Sequence, residues 1–176
     1  MSFDFYEDDE FDEHSSLKYK IGDQMIKISS IESFTLSFAF DYLSLDSTKF
    51  CFNNHNISVE DYRELFIFKK EVSTVKIKDL IDDRLTNKKY HFHTIDLIKK
   101  KFLIEPLKKL MNYSKYIELY QLPTLYQLAV YTNSKIERSP RIVGFFGKYA
   151  VFHILWFDYG HEIYPRIKNN HTNPPH

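Results

Sequence analysis

The residues best able to do chemistry gather near one end of the chain, where Asp158, His161, Tyr164 and Arg166 surround Gly160. An aspartate that accepts from one imidazole nitrogen fixes the tautomer and raises the basicity of the other. That is half of a general acid–base site. A tyrosine hydroxyl or a guanidinium beside it can hold a phosphate or a developing negative charge. The same residue types also build an ordinary turn, in which the aspartate caps backbone amides. A second group is His91, His93 and Asp96. Two histidines at alternate positions of a strand share a face, where they can serve as acid and base or share a cation. A metal would need a third ligand from elsewhere, with Asp158 or His161 as the attractive donors. The third group is basic. Lys88, Lys89, Lys99, Lys100, Lys101, Lys108 and Lys109 run with only Asp96 and Glu105 as acids among them, interleaved with Tyr90, Phe92 and Phe102. With Arg138 and Arg141 they make either a nucleic-acid-facing surface or a solvated helix face.

The elements that must position these groups are legible in the periodicity. Tyr19 and Ile21, then Ile26 and Ile28, alternate around Gly22-Asp23 and predict a hairpin. Phe34 to Tyr42 is apolar at every second residue, a half-buried strand, with Phe50 to Phe52 as a short partner. Ser58 is an N-cap and Asp61 stands three residues on, so a helix starts there with Val59, Tyr62, Leu65 and Phe66 at helical spacing. A short helix is expected over 76–83 and a junction over 85–90. A strand follows over Tyr90 to Ile95, with Asp96 capping what comes next. A helix then opens at Pro106. Strands over 116–120 and 125–131 flank Pro123. Last, Arg141 to Phe146 and Tyr149 to Asp158 pair as a hairpin in the core. Phe152, Ile154, Trp156 and Asp158 are expected on one face of the final strand. Both of its faces are apolar, so it is central. This order is α+β with a mainly antiparallel sheet and a few short helices, rather than alternating βαβ.

Composition sets the outer bounds. Aromatics make up 17% of the 176 residues, which favours strands and a well-filled core. Cys51 is the single cysteine. It excludes an internal disulfide and reads as a core thiol. The first residues are acidic rather than a basic-then-apolar leader, and no apolar run is long enough for a membrane span. The expected location is cytoplasmic. Net charge is zero, yet seven of the 24 acidic side chains fall in residues 1–13, with no Lys or Arg. The rest is therefore net positive by seven, a body able to attract phosphates. The expected organisation is an acidic tail over 1–16, one domain over 17–168 and a frayed end over 169–176. There is no Gly-rich phosphate loop, no Cys pair and no nucleophile elbow, so neither metal nor cofactor is expected.

The stretches FTLSFAFDYL, YHFHTID and RIVGFFGKYAVFHILWFDYGHEIYP resemble small uncharacterised bacterial and prophage-type proteins. Their C-terminal halves carry Gly-Phe, Val-Phe and Trp-x-Asp-x-x-His-x-x-Tyr-Pro. Here these are Gly144-Phe145, Val151-Phe152, Trp156, Asp158, His161 and Tyr164-Pro165. The resemblance implies a phage-defence or toxin–antitoxin context and no particular reaction. Two readings follow. In the first, the protein is nucleic-acid-associated, with RNA as ligand, and as an enzyme it is a metal-independent endoribonuclease. His161 or His93 is then base or acid with His91 and Tyr164 nearby, Asp158 orients the histidine, and Arg141 or Lys148 meets the phosphorane. Lys99, Lys100, Lys101, Lys108 and Arg138 hold the backbone. In the second, it is a non-enzymatic module that binds a partner protein through aromatic strands and the acidic tail.

Overall fold

The computed structural model describes residues 32–45, 50–130 and 139–165 in full, and the backbone of 18–21 and 24–27. The expected tails at 1–16 and 169–176, Arg138 and Arg166 lie outside these residues. The predicted hairpin is present: β1 (Lys18–Ile21) pairs antiparallel with β2 (Gln24–Lys27). The main body is a five-stranded sheet of β3 (Ser37–Ala39), β4 (His93–Ile95), β5 (Leu125–Ala129), β6 (Arg141–Phe146) and β7 (Val151–Asp158), in the order β3-β7-β6-β5-β4. Neighbours are antiparallel except β3 and β7, which run parallel. The α+β class, the mainly antiparallel pairing and the C-terminal hairpin in the core follow the sequence reading. Among the described residues no helix is long and apolar enough to cross a membrane.

Helices cover both faces. On one lie α1 (Val59–Val72), α2 (Ile77–Asp82) and α3 (Arg84–Tyr90), whose Leu65, Phe68, Val72, Leu80 and Tyr90 pack on Tyr126, Ile142, Phe146, Phe152, Ile154 and Phe157. On the other, α4 (Ile104–Leu110) and the segment around Leu122 and Ile163 cover Ile95, Leu125, Val143, Phe145, Leu155 and Trp156. Burying each such side chain contributes roughly 1.5–3 kcal/mol. Stacking adds to that where rings lie flat, as between Phe52 and Phe157 at 4.9 Å.

One irregularity decides which side chains meet. Val143 pairs with Trp156 but Gly144 pairs with Ile154, so Leu155 is the extra residue of a β-bulge. Phe152 and Ile154 face α1, whereas Leu155 and Trp156 both face the α4 side. The expectation that Phe152, Ile154, Trp156 and Asp158 share a face is therefore corrected: the bulge transfers Trp156 and Asp158 to the opposite side. Gly144 permits it, since a Cβ there would lie 2.7 Å from the Phe152 ring and closer still to the His153 carbonyl.

Several local expectations also change. In α1 the capping box forms as read, with Asp61 N–H on Ser58 Oγ and Ser58 N–H on the Asp61 carboxylate. The buried phase is Leu65, Phe68 and Val72, and Val59 and Phe66 are exposed, because the apolar run Leu65-Phe66-Ile67-Phe68 offers two faces and tertiary packing selects one. Residues 85–90 are helical rather than a junction, capped by Asp83 accepting from Thr86 N–H at 2.8 Å. The strand expected from Tyr90 is thus only His93–Ile95. Phe50–Phe52 is not a strand; its main chain makes single bonds, Phe157 N–H to Phe50 and Phe52 N–H to Ser44. Residues 116–120 form turns and a 3₁₀ segment, Leu119–Gln121, because Glu118 and Gln121 cap each other. The helix expected at Pro106 begins two residues earlier, at Ile104. Cys51 is a buried free thiol.

Candidate active site

Where the α4-side apolar layer ends, the sheet continues in polar residues. Pairing sets His93 opposite Gln127, Ala129 opposite Arg141, and Arg141 opposite Asp158. These side chains follow Ile95, Leu125, Val143 and Trp156 on one face at period two. Above them lies an open cleft of about 650 Å³ lined by His91, His93, Gln127, Ser139, Arg141, His161 and Tyr164. Of the sequence-derived catalytic residues, five are brought together here. Asp158 is the sixth and lies buried at the cleft's base strand, 1% exposed.

Each histidine arrives by a different route. His91 is not on a strand: it caps α3 at the C-terminal end in the left-handed region, φ 46°. His161 also has a left-handed backbone, φ 55°. Such conformations are uncommon for side-chain-bearing residues, and two of the five among the described residues line this cleft. His93 is fixed by its hydrogen bonds. Its Nδ1 lies 2.9 Å from the Thr94 carbonyl, which can only accept. Nδ1 therefore carries the proton, and Nε2 accepts from the Gln127 amide at 2.8 Å. The ring packs edge-on against Tyr164 at 5.4 Å.

Asp158 acts on the turn through main chain. Its oxygens accept from Glu162 N–H at 2.7 Å and Ile163 N–H at 2.9 Å, and its carbonyl accepts from His161 N–H at 3.3 Å. It thereby holds the loop that carries His161, and the expected carboxylate-to-imidazole contact gives way to amide capping. Burial pushes its carboxyl above the ordinary value. The two amides and the Arg141 charge oppose that rise, while Glu162 adds to it. Arg141 is itself buried, donating from one terminal nitrogen to the carbonyls of Ser139 at 2.8 Å and Pro140 at 3.2 Å, so its guanidinium is held rather than swinging.

The basic run contributes unevenly. Lys100 places its ammonium 4.2 Å from the Tyr164 ring centroid, at the cleft rim. Lys99 pairs with Asp96, and Lys108 pairs with Glu105 and donates to the Lys115 carbonyl. Lys101 is exposed. Lys148 lies past the far end of β6, about 20 Å of strand from Arg141 at 3.3 Å per residue, and is not among the residues that line the cleft, whereas Arg141 is. Among the described residues, no three of His, Cys, Asp and Glu converge closely enough to hold a metal ion. Sequence reasoning missed Gln127 and Ser139. Gln127 had a signal: it is the one polar residue inside the buried strand Leu125–Ala129. Its Oε1 is buried with no hydrogen-bond partner among the described residues.

The arrangement offers proton carriers, a fixed cation and a buried acceptor around one open volume. A family model described as Uncharacterised protein UU032 matches residues 37–174, taking in every strand of the large sheet and every cleft residue. No curated protein and no solved structure gives a significant match.

Proposed function

We propose that this chain, which belongs to the Uncharacterised protein UU032 family, is a small cytosolic, nucleic-acid-associated protein of phage-defence or toxin–antitoxin type that cleaves RNA without a metal. The observation that supports it is the convergence of His91, His93 and His161 with the buried Arg141 in one open cleft. In this reading Arg141 holds the scissile phosphate, and Lys100 on the Tyr164 ring guides the flanking backbone. His93 Nε2, released from Gln127, takes the proton of the ribose 2′-hydroxyl. The 2′-oxygen attacks phosphorus, the bond from phosphorus to the 5′-oxygen breaks, and His161 in its protonated form delivers a proton to that oxygen. The products are a 2′,3′-cyclic phosphate and a 5′-hydroxyl, with no further reactant. Asp158 positions His161 through the turn it caps.

The test is incubation of purified protein with RNA in EDTA, with end-group analysis. Cleavage leaving cyclic-phosphate ends is expected, and His93→Ala and His161→Ala should each lower kcat/KM by roughly 10²- to 10⁴-fold. Intact RNA, or variants both as active as the natural protein, overturns the reading. A non-enzymatic protein-binding module is the second reading, favoured by the exposed Phe34, Phe40 and Phe66; the same assay separates the two.

A further inference from the structure

A second concavity lies away from the histidine cleft, on the α1 side of the sheet. It is a groove of about 430 Å³ with Leu43, Phe52 and Leu65 deep in it and Phe40, Leu45 and Phe66 at its edge. The edge residues are 44%, 64% and 63% exposed, an apolar surface that ordinarily marks an interaction site. Lys69 sits over it. Its ammonium is 3.9 Å from the Phe40 ring centroid and 5.4 Å from that of Phe66. No carboxylate among the described residues lies within ion-pair distance of it, and partial burial lowers its pKa. A partly desolvated cation on aromatic rings, above an apolar trough, suits a segment that brings bulky apolar side chains and carboxylates together.

This chain contains such a segment. Residues 3–11 read FDFYEDDEF, with Phe3, Phe5, Tyr6 and Phe11 set among five acids. From there the chain passes through the β1–β2 hairpin and joins the main body at Glu32, eight residues before Phe40 at the groove's edge. The carbonyls of Glu32 and Phe34 accept from Lys78 and Ile77 N–H, and the strand that follows leads through β3 to Phe40. A covalent tether gives a local concentration that a separate peptide lacks. We propose that residues 3–11 dock in this groove, seating aromatic side chains against Phe40 and Phe66 and a carboxylate on Lys69. The groove and the histidine cleft lie on opposite faces of the sheet, so the docking stands or falls independently of RNA cleavage.

Photo-cross-linking in the full chain tests it. Phe66→benzoylphenylalanine alters an exposed position, and irradiation of mixed heavy- and light-isotope chains followed by mass spectrometry tells a link within one chain from a link between two. Links from position 66 to residues 1–13 of the same chain are expected. Lys69→Glu, with unchanged circular dichroism, should lower their yield by about fivefold, the scale of one partly exposed ion pair. Replacing Phe3, Phe5 and Phe11 by serine should do the same while leaving every described residue unchanged. Links only between chains would assign the groove to a second copy instead. Those, links elsewhere, an absence of links, or a yield unmoved by both sets of substitutions would each overturn the proposal.

Discussion

The junction between α1 and the end of β7 allows a graded prediction. The carboxylate of Asp61, 6% exposed, accepts from Ser58 N–H at 2.7 Å, Ser58 Oγ–H at 2.8 Å and, across the fold, Tyr159 O–H at 3.1 Å. Ser58→Ala removes an N-cap and should cost about 1 kcal/mol. Tyr159→Phe removes one bond to a charged acceptor, about 1.5 kcal/mol. Asp61→Ala removes the acceptor for all three donors and leaves the buried Tyr159 hydroxyl, 5% exposed, without that partner. Adding the desolvation of the stranded groups gives about 4 kcal/mol, on the order of 10 °C in Tm for a chain of this size. Urea unfolding followed by circular dichroism measures the series, and the m-value should stay constant. If Asp61→Ala costs no more than Ser58→Ala, Asp61 is only a local cap and does not tie the helix to the strand that carries the cleft's turn.

Two further outcomes are expected. Burial holds the Asp158 carboxyl above its ordinary 3.8, so the folded chain takes up this proton before the unfolded chain does. The charged form is a penalty present above the folded pKa and relieved as pH falls through it. Relative to Asp158→Asn, the natural protein should therefore gain stability between neutral pH and about pH 4; urea midpoints at both values check the sign, and a relative loss refutes it. Gly144→Ala should destabilise by about 2 kcal/mol through overpacking at the bulge, read from the fluorescence of Trp156, the chain's only tryptophan; a cost below about 0.5 kcal/mol would mean the strands separate easily there.

The sequence disclosed the elements with strong local signals. The Ser58–Asp61 box set the start of α1, and the apolar stretches within 141–146 and 149–158, interrupted by Gly144 and His153, disclosed the central hairpin. What it could not disclose is phase. An apolar run has no marked face, so a bulge at Leu155 leaves no trace in it, and strict alternation puts Asp158 on the face of Phe152 where the structure puts it on the other. Helix α1 had the same ambiguity: Val59 and Phe66 fit the spacing as well as Phe68 and Val72. The cleft was half legible. Its histidines and Arg141 stood out by type, but their convergence depends on the pairing of β4 with β5 and β5 with β6, which no local pattern encodes. Gln127 is a single amide within an apolar strand, and only the pairing of β4 with β5 sets it against His93.

The parallel seating of β3 on β7 has a consequence in time. Asp41, just past β3, meets His153 of β7 across 112 residues of chain. Contacts of such span are entropically late, since the intervening loop must be closed before the pairing rewards it. During synthesis β3 leaves the ribosome long before the strand it needs exists, and its exposed aromatic neighbours, Phe34 and Phe40, wait in solution. The edge of the sheet that is made first is therefore the one completed last, and the interval between the two is when this chain is most open to association with other chains.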